Sequence, residues 1–386
     1  MNIFDKKRLF GITPIVTVED KEIANLNGTT KAIYYTAEPY MGNPTRNFAY
    51  IGYPNTEMPE GGYPAVVVCH GGGGCAFPEW VEYWNGKGYA CIAPDLYGQK
   101  DGNITIDGKG APKNPEGGPS GSKPFETNKQ NYKDKYLYHA VSDVIICNNI
   151  LRASGKVNVD KIALTGISWG SVVTMMVAGV DDRFCAYAPV YGGGYYYLSP
   201  FFRNDGDLPK NEQEWLENFD PSAYLKKVEK PILFTSGVDD PAFPTTCNQK
   251  SWGICDKNAT YSWRVSLTHY HRWKDEDGMI NVFKFIDKAV NGNEMPFEIV
   301  GDNLSGKILT VKVKNNAKTS LKATLHYTNG DKNELVNSNL KWTSVTATEK
   351  DGVFTAEVSN DATMCFMQIT DGQAFEFVLS TKVYFI

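Results

Sequence analysis

Between Lys161 and Ser171 the chain reads KIALTGISWGS, and no other short run restricts its possible folds as much. Ile162, Ala163, Leu164 and Ile167 read as a short buried strand. Trp169 onward, through Val172, Val173, Met175, Met176 and Val177, reads as a helix. Ser168 stands where one becomes the other, and Gly166, Ser168 and Gly170 match G-x-S-x-G. Small residues around the serine permit a sharp, strained strand-to-helix turn that exposes its hydroxyl, the nucleophile elbow. Five residues are a common chance match, so the rest of the chain must supply the partners.

The surrounding texture suits such a turn. From Tyr63, strand and helix patterns alternate: YPAVVVCH, PEWVEYWNGKG, YACIAPDLYG, a helix over about 133–154, the Lys161 strand and its helix, FCAYAPVYG, PILFTSG, TYSWRVSL and a last helix over about 278–290. Alternation of this kind predicts a mostly parallel sheet with helices on both faces. The first sixty residues add strand-like runs, KAIYYTAEP and NFAYIGYP, as an N-terminal extension. Residues 98–131, rich in Gly, Pro, Lys and Asn, read as a long surface loop, either a flexible insertion or a flap over a site. After NGNEMP the runs become short, alternating and β-branched (KILTVKV, LKATLHYT, LKWTSVTA, GVFTAEV, TMCFMQIT), separated by turn residues. They predict a small all-β, Ig-like sandwich. The expected domains are therefore 1–290, α/β, and 296–386, all-β, as a chain of 386 residues allows.

A net charge of −5 gives no basic footprint for nucleic acid or an anionic membrane. No apolar stretch is long enough to span a bilayer, and MNIFDKKRLFGI lacks the apolar core of a secretory signal. Eight scattered cysteines read as reduced thiols of a cytoplasmic protein rather than as disulfides, and no CxxC or Cys/His cluster has zinc spacing. No metal or organic cofactor is implied. Oligomeric state is not legible.

A serine hydroxyl needs a base within hydrogen-bond reach and a carboxylate to orient that base. On a sheet of this type the acid and then the histidine follow the serine along the chain. Of five histidines, His70 and His139 precede Ser168 and His326 lies in the β region, which leaves His269 and His271 in THYHRW. His269, nearer the strand end, has less loop to order and is favoured as the base, with His271 as the alternative. The loop after PILFTSG offers Asp239 and Asp240. HGGGG, His70 to Gly74, follows the strand AVVVC, where glycines let main-chain amides approach an oxyanion. Gly72 and Gly73, with the amide of Trp169, are the expected donors; no Walker lysine or GxGxxG spacing supports a phosphate loop. Trp169 and the run Tyr195, Tyr196 and Tyr197 are candidates to line a substrate pocket, with core packing as the alternative. Core is the expected place of Trp252, Trp263 and Trp273, and a structural role that of His139.

Four blocks, HGGGGCAFPEWVEYWNGKGYACIAPDLYG, TGISWGS with DRFCAYAPVYGGG, GVDDPAFP and THYHRW, make residues 45–290 resemble a bacterial α/β-hydrolase family related to dienelactone hydrolases and acetyl xylan esterases. The resemblance implies an α/β-hydrolase fold, Ser168 as nucleophile, Asp240 as the acid because the family loop reads G-x-x-D from Gly237, and a histidine in the H-x-H segment. Ser171 departs from the glycine usual there. The implied activity is removal of short acyl groups, acetyl first, from small-molecule or oligosaccharide esters. Two other readings are a peptidase of the prolyl-oligopeptidase type, which would lack its propeller, and an inert hydrolase domain carrying a carbohydrate-binding sandwich.

Overall fold

The run Ala65–Cys69 is buried on both faces, as a β-branched strand inside a helix-covered sheet must be. A computed structural model describes residues 3–19, 29–100, 112–120, 131–195, 210–270, 273–275, 278–331, 340–373 and 376–386. The chain divides into two compact units. One holds Met1–Pro189, Asn204–Lys230 and His271–Trp273; the other holds Val190–Arg203, Pro231–Tyr270 and Lys274–Ile386.

The first unit contains α1 (Lys6–Phe10), β1 (Val16–Val18), β2 (Lys31–Tyr40), β3 (Asn43–Gly52), β4 (Tyr63–Cys69), α2 (Pro78–Gly86), β5 (Ala90–Pro94), α3 (Tyr136–Ala153), β6 (Val157–Ile167), α4 (Trp169–Ala178), β7 (Ala186–Val190), α5 (Lys210–Phe219) and α6 (Ser222–Leu225). Its strands run in the order β1-β2-β3-β5-β4-β6-β7. The N-terminal extension is antiparallel through the β3–β5 pair, whereas β5, β4 and β6 are parallel. Pro78 opens α2, where its missing N–H is harmless, and the helix buries Trp80, Val81 and Trp84. Because β5 and β6 flank β4 on opposite sides, their crossovers part at the carboxyl end of β4. Open α/β sheets bind ligands at such a switch point.

Part of the expected long loop is anchored. The described stretch 112–120 is tied down where Asn114 N–H donates to Gly98 O (2.9 Å) and Arg46 N–H of β3 donates to Glu116 O (2.8 Å). Asn114 Nδ2 also donates to Arg46 O at 2.7 Å. Residues 101–111 and 121–130 of that loop lie outside the described residues.

The second unit contains β8 (Ile232–Gly237), α7 (Thr245–Trp252), β9 (Ala259–Arg264), α8 (Ile280–Asn291), β10 (Phe297–Ser305), β11 (Ile308–Asn315), β12 (Lys322–Thr328), β13 (Thr343–Thr346), β14 (Thr348–Lys350), β15 (Val353–Glu357), β16 (Met364–Thr370), β17 (Val378–Ser380) and β18 (Tyr384–Phe385). β8 and β9 are parallel, Gly237 facing Arg264. The C-terminal strands form two sheets. One, β10-β11-β15-β14, is separate; the other continues from β9 as β17-β16-β12-β13.

The division therefore differs from the expected boundary at 290–296. Residues 296–386 share a unit with β8 and β9 because Ser380 pairs with Tyr261. Buried Asn281 of α8 reinforces the join: it donates to Val378 O (2.6 Å) and accepts from Val378 N–H (2.9 Å). Sequence patterning marks where alternation changes period, but it carries no signal for one edge-to-edge strand pair.

All eight cysteines are free thiols. Among the described residues no helix is long and apolar enough to cross a membrane.

Candidate active site

β6 hands directly to α4 through Ser168, whose backbone sits at φ 53°, ψ −118°. A non-glycine residue there is strained by about 1–3 kcal/mol and persists only where its surroundings enforce it. The flanking glycines show what enforces it. A Cβ on Gly170 would lie 2.3 Å from Cys69 O, and one on Gly166 would lie 2.5 Å from Gly170 O. The turn is pressed against the end of β4, so G-x-S-x-G here records close approach.

The same register brings the glycine loop to the serine. Cys69 pairs with Gly166, so the residues after β4 and β6 leave the sheet side by side. Gly74 N–H donates to Gly71 O (3.1 Å), closing a turn with Gly73 at φ 71°, a position that favours glycine. A Cβ on Gly72 would lie 2.3 Å from Trp169 Cδ1 and 3.0 Å from the Tyr97 hydroxyl. The Trp169 side chain, 7% exposed, thus packs against this loop. The Gly73 amide is engaged by the Tyr97 oxygen, and burial pushes the Tyr97 phenol up to about 12.

His70 secures the loop's start. Its Nε2 accepts the Leu96 N–H at 2.8 Å, so the hydrogen resides on Nδ1, which donates to Gly71 O at 2.8 Å. His139, on α3, is buried edge-on to Tyr40 and Tyr138.

The second unit carries the acid and a histidine. Because Gly237 and Arg264 are in register on parallel strands, the loops after β8 and β9 leave at one end. Asp240, three residues past Gly237, and His269, five past Arg264, meet there: His269 Nδ1 lies 2.8 Å from Asp240 Oδ2. The Asp240 side chain is fully buried; its other oxygen accepts the amides of Ala242 and Phe243, both at 2.8 Å. Asp239 is exposed and turns its carboxylate back over Gly237 toward the Leu267 amide. The adjacent aspartates therefore differ in burial and in partners. The His269 side chain remains 18% exposed. His271 lies outside the described residues, as do Tyr196 and Tyr197. Tyr195 is described, with Lys250 Nζ 4.6 Å from its ring centroid.

Two neighbours of His269 had no role in the sequence reading. The Tyr191 ring centroid is 4.4 Å from the imidazole, and that of Phe243 is 6.3 Å away and nearly parallel. The available signal was position: Phe243 lies three residues past Asp240, and Tyr191 opens the YGGG segment. Trp252 and Trp263 are core, and Trp273 packs on Trp80. Among the described residues no cluster of three or more His, Cys, Asp or Glu side chains is placed to hold a metal ion.

A model of the dienelactone hydrolase family matches residues 49–271, a span that includes Gly72, Ser168, Asp240 and His269. Among solved structures, an acetyl xylan esterase from Paenibacillus sp. R4 superposes with a TM-score of 0.54 at 18% identity, over 74% of this chain and 92% of its own. An acylaminoacyl peptidase from Pyrococcus horikoshii gives 0.51 at 16% identity, over 70% of this chain and 43% of its own. At such identities the likeness shows the fold alone: an α/β-hydrolase sheet, here with a β-rich C-terminal region. No curated protein sequence matches the chain.

Proposed function

The chain belongs to the dienelactone hydrolase family, and from that premise we propose that it is a serine esterase that removes short acyl groups, acetyl foremost, from carbohydrate or small-molecule esters. The observation that carries this reading is the strained Ser168 at the end of β6, beside a glycine loop. Strain of that kind needs a use, and presenting a nucleophile is one.

In this reading Ser168 Oγ attacks the ester carbonyl while His269 Nε2 takes its proton. Asp240, held by two amides, keeps the hydrogen on Nδ1 and stabilises the imidazolium. The negative charge that develops on the carbonyl oxygen is met by the amides of Gly72 and Trp169; each such donor contributes about 10²–10³-fold in rate. Gly73, whose amide is engaged by Tyr97, holds the loop instead. His269 returns the proton to the leaving alcohol, which leaves an acyl-serine. Water, activated by the same base, then releases the acid and restores Ser168.

Trp169, packed on Gly72, shortens the acyl side and motivates the preference for small acyl groups. A panel of esters from acetyl to octanoyl, with acetylated xylan and a peptide amide, tests the reading after a fluorophosphonate probe has established labelling at Ser168. Activity that peaks at octanoyl would remove the short-acyl assignment. Cleavage of the amide at rates near the esters would favour a peptidase, the reading that the fold shared with the Pyrococcus peptidase leaves open. Absence of labelling on folded protein would count against catalysis altogether.

A further inference from the structure

Tyr191 leaves β7 with its backbone at φ 38°, where a bulky L-residue is rarely found. Gly192, Gly193 and Gly194 follow at once, yet the strained position is the tyrosine itself. The segment is bolted in place. Tyr191 N–H donates to Thr235 O at 2.6 Å, Trp252 Nε1 donates to Gly192 O at 3.0 Å, and Gly194 N–H donates to Ser251 Oγ at 3.1 Å. A Cβ on Gly193 would lie 2.2 Å from Asn248 Oδ1, so the chain runs in contact with α7. Conformations over-determined in this way concentrate at functional sites.

What the strain achieves is the placement of one side chain. Tyr191 is 1% exposed, its ring lies 4.4 Å from the His269 imidazole at 42°, and its hydroxyl donates to the carbonyl of Tyr270, the next residue. The hydrogen bond to Asp240 fixes where Nδ1 is, and a ring against the imidazole adds a constraint on its plane. An aromatic face also favours the cation formed when His269 takes a proton.

We propose that Tyr191 is a positioning residue for the base: its ring, packed against the His269 imidazole, sets the plane of that imidazole. This rests on the reading of His269 as the base. Misplacement of a reacting group by about 1 Å costs up to about 10²-fold in rate, so the effect should fall on kcat.

The test compares Tyr191→Leu and Tyr191→Phe with wild type and His269→Ala on a soluble acetyl ester, with thermal unfolding as the check on folding. Tyr191→Leu should lower kcat by at least about tenfold with KM within about twofold, and Tyr191→Phe, which keeps the ring, should recover kcat to within about threefold of wild type. Wild-type kcat in Tyr191→Leu, a change confined to KM, or a Phe variant as poor as the Leu variant would overturn the proposal. Should the Leu variant fail to fold, Tyr191→Gly removes the ring while relieving the strained backbone. Full kcat in that variant would overturn the proposal equally. If His269→Ala retained wild-type turnover, the assignment of the base would fall instead, which is a separate result.

Discussion

His269 Nδ1 and Asp240 Oδ2 lie 2.8 Å apart, and the carboxylate that receives the imidazole is fully buried and held by two backbone amides. The adjacent Asp239 is exposed. Asp240→Asn should therefore lower kcat by about 10³–10⁴-fold, since an amide cannot hold the required tautomer or stabilise the imidazolium. Asp239→Asn, which keeps an oxygen to accept the Leu267 amide, should cost less than about fivefold. Steady-state kinetics on both variants decide between them; equal losses would contradict the assignment.

Ser168 combines backbone strain with a small side chain, which separates activity from stability. Ser168→Ala should abolish turnover and probe labelling while the protein stays folded. Ser168→Gly should be equally inactive yet more stable by about 1 kcal/mol, because glycine tolerates φ 53°. Urea unfolding of the two variants checks the second claim; a glycine variant less stable than the alanine variant would refute it.

Between the two histidines of THYHRW, only His269 is described, and it is already paired with Asp240. His269→Ala should remove turnover, whereas His271→Ala should remain active with an altered KM or stability. The opposite result would transfer the role of base to His271.

His139 supplies a pH dependence of stability. Burial holds its imidazole down to about 4, more strongly than Glu38 and Asp134 pull it up. With an unfolded value near 6.5, the unfolded chain binds the extra proton between about pH 4 and 6.5. Stability from this group is complete above that window and is lost as pH falls through it. Asp143, one turn along α3, is raised by burial and contributes with the opposite sign, so the comparison must be between variants. His139→Gln, with each protein referred to its own value at pH 7, should lose less unfolding free energy than wild type on going from pH 6.5 to 4.5. Parallel curves would show that His139 takes no part.

The sequence determined the elements and their order. The β-branched run before His70, the strand and helix either side of Ser168 and the change to short alternating strands near residue 296 are local patterns, set by the spacing of apolar side chains. The order of Ser168, Asp240 and His269 belongs to the chain itself. Sequence did not determine which polar groups meet. Two aspartates adjacent in sequence differ entirely in burial because β8 ends in register with β9, and that register is a property of paired strands. Gly166 and Gly170 look like turn residues in the sequence, but their need is set by the nearness of Cys69 O. Nothing local distinguishes Tyr191 in YGGGYYY, and only the tertiary bonds of residues 191–194 to Thr235, Trp252 and Ser251 reveal a strained residue held against His269. The join of β17 to β9 escaped for the same reason. Periodicity reports which face of an element is apolar, whereas partnership depends on segments far apart in the chain, and only folding brings those together.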